Sequence, residues 1–224
     1  MPVPSRLSVT SVILYLHGFA SSPKSTKAGY FAERLRTYGR TLISPDFNEP
    51  DFRSLTMTRM LGQIERTMDA AGGGMATLIG SSLGGTLAVL AAARMPHRID
   101  RLVLLAPAVM FAKPGHHLLP PERIAEWRRK GSLSFFHYAH HEERPLDVAF
   151  YEDSLTHDAF GASIPQPTLA FQGVHDAAVP CETVQAFASA RPNVSLTLLD
   201  DDHQLVVSLP RIWSEMETFL GLRR

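Results

Sequence analysis

The sequence predicts an α/β domain built on a doubly wound, mostly parallel sheet. Three observations predict it. Short apolar runs alternate with longer segments of helical periodicity along most of the 224 residues. Most of these runs lack polar alternation, as strands buried on both faces do. The apolar fraction, 45%, is that of a globular chain, and the length suffices for one sizeable core.

The elements follow in order. Residues 12–16 read as the first strand, and residues 27–38 as a helix with Tyr30, Phe31, Leu35 and Tyr38 on one face. Residues 41–44 form the second strand. The helix over 55–70 directs Met57, Met60 and Met68 to the core. A strand at 76–79 leads into a helix at 83–94, and a further strand covers 102–105. Strands at 168–171 and 195–199 flank a helix at 182–190. The closing helix, 210–220, aligns Ile212, Trp213, Met216, Phe219 and Leu220. Between Pro107 and Gln166 no segment reads as a strand, and helix-like stretches cover only 121–130 and 146–151. A structureless loop of ~60 residues is improbable inside a compact domain. The expectation is one domain over 1–224, with a core of 1–106 and 167–224 and an inserted helical lid over about 107–166.

Charge and cysteine content exclude other classes. Lys plus Arg is 22 and Asp plus Glu is 22, so the formal net charge is zero. That argues against a nucleic-acid binder or a protein held to anionic membranes. The single cysteine, Cys181, allows no intrachain disulfide, which suits a reducing compartment. The run at 12–16 is too short for a signal-peptide core, and no stretch approaches the ~18 apolar residues of a membrane span. A cytoplasmic protein without a membrane span is expected.

The most informative segment is Gly80-Ser81-Ser82-Leu83-Gly84-Gly85, which matches G-x-S-x-G around Ser82. An apolar strand precedes it and a helix follows, the context of a nucleophile elbow. The tight turn needs glycine at Gly80 and Gly84 and aims helix N-terminal N–H groups at a substrate. A serine nucleophile needs a base, and in α/β-hydrolases the partners follow in the order Ser, acid, His. Asp176 follows the strand at 168–171 and His203 follows the strand at 195–199. His203 is therefore the expected proton carrier, and Asp176 the group that fixes its tautomer. His17-Gly18-Phe19 after the first strand places the backbone N–H of Phe19, with that of Leu83, in an expected oxyanion hole. His17 reads as structural, bonded to nearby backbone. His175 precedes the acid and ranks low. Asp200, Asp201 and Asp202 are runner-up acids, read in preference as solvated turn residues.

Tyr15-Leu16-His17-Gly18-Phe19, Ser21-Ser22-Pro23-Lys24-Ser25, Lys27-Ala28 and the Ser82 motif together resemble the YqiA-type bacterial esterases of the α/β-hydrolase superfamily. Pro107-Ala108-Val109, Asp176 and His203 extend the likeness. The resemblance implies a small, cofactor-free serine esterase acting on short acyl esters or thioesters. The chain departs from that family's Gly-Gly-Asn/Asp-His turn, having Asp201-Asp202-His203, which adds negative charge beside the base. Its middle segment is also longer and rich in histidine: His116, His117, His137, His140, His141 and His157.

Other constellations carry less. His137 and His141 would share a helix face as metal ligands do, but Tyr138 stands where H-E-x-x-H needs Glu. Solvated lid residues are the preferred reading, and no metal is expected. Arg128-Arg129-Lys130 suits a helix C-terminus. Gly72-Gly73-Gly74 lacks the Lys-Ser/Thr of a phosphate loop. The expected activity is hydrolysis of a small ester or thioester through a Ser82 acyl-enzyme. Phe111, Leu118, Leu119, Trp127, Phe135 and Phe136 are candidates for an acyl pocket. The same triad would also serve C–C bond hydrolysis or perhydrolysis, and the fold also serves non-catalytic ligand binding.

Overall fold

The computed structural model describes residues 12–111 and 119–222. The strands are β1 (Val12–Leu16), β2 (Leu42–Ile43), β3 (Ala76–Ser81), β4 (Ile99–Leu105), β5 (Ser132–His137), β6 (Glu142–Asp147), β7 (Thr168–Gly173) and β8 (Val194–Leu199). The helices are α1 (Thr26–Arg36), α2 (Met57–Ala70), α3 (Leu83–Arg94), α4 (Pro121–Lys130), α5 (Ala149–Ser154), α6 (Cys181–Ser189) and α7 (Leu209–Phe219). Six strands form one parallel sheet in the order β2-β1-β3-β4-β7-β8. This is the α/β-hydrolase arrangement of a mostly parallel sheet with flanking helices.

Strand alternation divides the core into two layers. Leu14 and Leu16 of β1 face α2, α3 and the β4–β7 connection, while Ile13 and Tyr15 face α1 and α7. Phe31 and Leu35 of α1 meet Ile212, Trp213 and Met216 of α7 in the second layer. Side chains end or begin the helices where the backbone alone would leave donors unpaired. Ser25 caps α1 by accepting the Ala28 N–H, and Thr56 caps α2 by accepting the Arg59 N–H. Gly131, at φ 78°, closes α4 behind Arg128, Arg129 and Lys130.

The connection between β4 and β7 is not wholly helical, contrary to the expectation. It contains α4, α5 and the antiparallel hairpin β5–β6, in register from Ser132↔Asp147 to His137↔Glu142. In Ser-Leu-Ser-Phe-Phe-His, Leu133 and His137 are buried, Phe135 half-buried, and Ser134 and Phe136 exposed. That is a period-two pattern, hidden by its brevity and by Pro145 on the partner strand. The helix expected from 146 starts later, because Leu146 belongs to β6. Trp127 of α4 is fully buried and its indole N–H donates to the Leu146 carbonyl at 2.8 Å. His116, His117 and Leu118 lie outside the described residues. Among the described residues no helix is long and apolar enough to cross a membrane.

Trp127 joins α4, the hairpin and α5 through one side chain. Trp127→Ala should cost about 3–5 kcal/mol, the usual range for a fully buried aromatic. Urea unfolding followed by far-UV circular dichroism measures it, with a drop in midpoint at unchanged slope.

Candidate active site

The site begins where β3 turns into α3. Every residue of β3 is buried, so the strand cannot drift toward solvent. Ser82 then takes φ 53° and ψ −117°, a conformation that costs a non-glycine residue on the order of 1–3 kcal/mol. Surrounding contacts hold it there. Its N–H donates to the Leu105 carbonyl at 2.9 Å, and its carbonyl accepts the N–H groups of Gly85 and Ala108 at 2.9 and 3.2 Å. The glycines make the turn possible. A Cβ at Gly80 would collide with the Gly84 carbonyl, and one at Gly84 with the Leu16 carbonyl.

Asp176 and His203 come to Ser82 from the ends of β7 and β8. His203 Nε2 lies 3.0 Å from Ser82 Oγ, and its Nδ1 lies 2.7 Å from Asp176 Oδ2. The Asp176 side chain is fully buried. Its Oδ1 accepts the N–H groups of Ala178 and Val179, each at 2.8 Å. Its Oδ2 also accepts from Gln172 Nε2 at 2.9 Å. Burial pushes this carboxyl up, but the bonds from His203, Val179 and Gln172 outweigh it and hold it below its ordinary range. With its acceptor positions filled by donors, Asp176 leaves His203 Nδ1 protonated and Nε2 free to accept the Ser82 hydroxyl proton.

A cleft of about 800 Å³ opens over Ser82, lined by Gly18, Phe19, Leu83, Phe111, Tyr138 and His203 among others. Among the described residues neither the Phe19 nor the Leu83 backbone N–H has a hydrogen-bond partner. Gly18 brings this loop close, since a Cβ there would stand 3.3 Å from the Ser81 carbonyl and 3.4 Å from Ser82 Cβ.

The neighbouring candidates separate cleanly. His17 is buried and bonds backbone at both ring nitrogens. Nδ1–H donates to the Gly18 carbonyl at 2.9 Å, and Nε2 accepts the Phe47 N–H at 3.0 Å. His175 and Asp200 form an exposed pair at 2.7 Å. Asp201 is buried rather than solvated: its carboxylate accepts the N–H groups of Asp202 and Ser208, each at 2.8 Å. Burial raises this group, and the backbone bonds overcome that and lower it.

His137 and His141 do not share a helix. His137 ends β5 inside the core, with Nε2 3.0 Å from Asn48 Oδ1, and His141 is the last residue of the hairpin turn, at φ 54°. Burial, with the charges of His140 and Arg144, lowers His137 to about 4. Among the described residues no cluster of three or more His, Cys, Asp or Glu could hold a metal. Of the expected acyl-pocket residues, Phe111 lines the cleft, Trp127 is buried in the core, Phe135 packs against it, and Phe136 points to solvent. Leu119 also packs against the core. Tyr138, Ala139 and His141 line the cleft instead, because a hairpin turn, not a helix, carries them there.

A parallel sheet with a serine on a strand-to-helix turn, and Asp and His at the ends of later strands, defines the α/β-hydrolase class. The chain belongs to the uncharacterised protein family UPF0227, which matches residues 12–220. It is also similar to the biotin biosynthesis bifunctional protein BioHC of Teredinibacter turnerae, 34% identical over 118 residues. That match takes in 50% of this chain and only 19% of the relative. The mouse palmitoyl-protein thioesterase ABHD10 is 24% identical over 207 residues, 88% of this chain and 70% of that one. The solved mouse alpha/beta hydrolase domain-containing protein 10 superposes with a TM-score of 0.78 at 22% identity, over 95% of this chain and 90% of that one. Est1E of Butyrivibrio proteoclasticus, solved with ferulic acid, gives 0.79 at 22% identity, covering 94% and 90%.

Two expectations follow from this geometry. Gly84→Ala should destabilise the fold by about 4 kcal/mol or more, since backbone rather than a flexible side chain blocks the methyl; thermal melting of the purified variant measures it. Asp176 and Asp201 both bind protons less readily folded than unfolded. Their contribution is present above the unfolded carboxylate range, near about 4, and is lost as pH falls through their folded values. Asp201→Asn should therefore flatten the acid limb of the stability–pH curve, read from melting temperatures.

Proposed function

We propose that this chain is a serine hydrolase, a carboxylesterase or thioesterase that cleaves small acyl esters through a Ser82 acyl-enzyme. One observation carries the reading: the continuous hydrogen-bond line from Asp176 through His203 to Ser82. In this mechanism Ser82 Oγ attacks the acyl carbonyl carbon as His203 Nε2 takes the hydroxyl proton. Asp176 remains ionised and stabilises the imidazolium. The tetrahedral oxyanion is received by the unpartnered N–H groups of Phe19 and Leu83. Collapse breaks the bond to the leaving alcohol or thiol, which receives the proton from His203. Water then attacks the acyl-enzyme with His203 again as base, and Ser82 is released with its proton.

The β4–β7 connection serves in this reading as the lid. Phe111, Tyr138, Ala139 and His141, which line the cleft, all belong to it. A fluorophosphonate probe and a panel of p-nitrophenyl esters and acyl thioesters test the proposal. Wild type should label and turn over, while Ser82→Ala should do neither. Asp176→Asn should keep the fold and lose about 10⁴ in kcat, the effect of a wrong imidazole tautomer. An unlabelled wild type, or labelling that survives Ser82→Ala, would sink the assignment.

A further inference from the structure

The segment that carries His203 has no helix or strand of its own between Leu199 and Leu209. It includes Leu205 at φ 53°, so local preference does not hold it. Its bonds do. The Asp201 carboxylate braces the backbone at Asp202 and Ser208, and Asp202 Oδ1 accepts the Gln204 N–H at 2.7 Å. Asp176 bonds His203 itself, while Asp201 and Asp202 brace the chain that carries it.

One buried cation stands against them. Among the described residues, Lys27 and Asp201 are the only Lys, Arg, Asp or Glu buried as whole residues. Lys27 sits in the first turn of α1 and is 8% exposed. Its Nζ donates to the Gln204 carbonyl at 2.8 Å, joining α1 to the residue after His203 across 177 positions of sequence. The charged groups that face it are Asp202, Asp201 and Asp176.

Helix stability does not ask for lysine at this place. A cation in the first turn opposes the helix dipole, and removing an ammonium from water is costly. Burial lowers Lys27 to about 8 even though three aspartates pull the other way. An uncharged side chain of similar length would fill the same space without either cost. Both costs are borne at one point, where the ammonium meets the His203 segment.

We propose that Lys27 is a positioning residue for His203, fastening the Gln204 carbonyl to α1 and balancing Asp176, Asp201 and Asp202 so that the imidazole stays directed at Ser82. This rests on the hydrolase reading above. Without the ammonium, the His203 segment loses its tie to α1.

Lys27→Met, Lys27→Gln and Lys27→Arg test this beside wild type and Ser82→Ala, with kcat, KM and the melting temperature recorded for each. Lys27→Met should lower kcat by about ten- to a hundredfold, the cost of a misplaced group, with KM little changed. Its melting temperature should hold or rise. Lys27→Gln keeps a donor without the charge and should lose less of kcat; Lys27→Arg should recover part of kcat. An active wild type with a Lys27→Met variant of normal kcat overturns the proposal. Failure of both neutral variants to fold overturns it too, by assigning Lys27 a structural role. A wild type inert toward probe and substrates overturns the hydrolase reading and this one with it.

Discussion

The approach of the Ser82 turn to the end of β1 is the constraint on which the site depends. Gly84 lies so near the Leu16 carbonyl that no side chain fits between them. That proximity sets α3 directly behind the sheet and brings the Gly18-Phe19 loop beside the serine. The Ser82 N–H is tied to Leu105 of β4 in the same turn. Thus β1, β3 and β4 meet at one residue, and the strained φ of Ser82 is held by its neighbours rather than by its own preference.

Parallel topology brings Asp176 and His203 to Ser82. All strands of the main sheet end at the same edge, so residues that follow β3, β7 and β8 gather there despite their distance in sequence. A second close approach joins the last two loops. A Cβ on Gly173 would collide with the carbonyl of Asp201, and the His175 N–H donates to that carbonyl at 3.1 Å. The Asp176 loop and the His203 segment are therefore one braced unit, and the bond from Asp176 to His203 spans a gap the backbone has already closed.

What could be read from sequence was what local chemistry determines. Buried parallel strands announce themselves as apolar runs, and the Gly-x-Ser-x-Gly turn carries its own steric demand. The β5–β6 hairpin could not be read because Pro145 and the acidic pair Glu142-Glu143 mask its alternation. His137 and His141 have helical spacing only because a four-residue turn separates β5 from β6. Lys27 and Asp201 resemble ordinary solvated charges in sequence. Their burial arises from contacts that form only once α1 and the end of β8 are side by side, so no local pattern foretells it.

The hairpin is tied to the other end of the site with similar economy. The Tyr138 N–H donates to the Ala20 carbonyl at 2.9 Å, and Asn48 Nδ2 donates to the Ser21 carbonyl at 2.9 Å. His137 Nε2–H in turn reaches Asn48 Oδ1. The Phe19 ring packs against Phe52, Phe135 and Phe150, drawn from the loop before α2, the hairpin and α5. Ala20 itself is held at φ 53°, which an alanine does not choose unaided. A connection whose task was only to cover the cleft would need apolar contact alone. This one also makes part-buried hydrogen bonds to the loop that follows β1, where a shift of an ångström would move the Phe19 N–H out of the proposed oxyanion hole. Hydrogen bonds of this kind favour one geometry, because they are directional where apolar contact is not. The connection therefore shapes the proposed oxyanion hole as well as roofing the cleft, and changes in the hairpin should be felt in turnover before they are felt in binding.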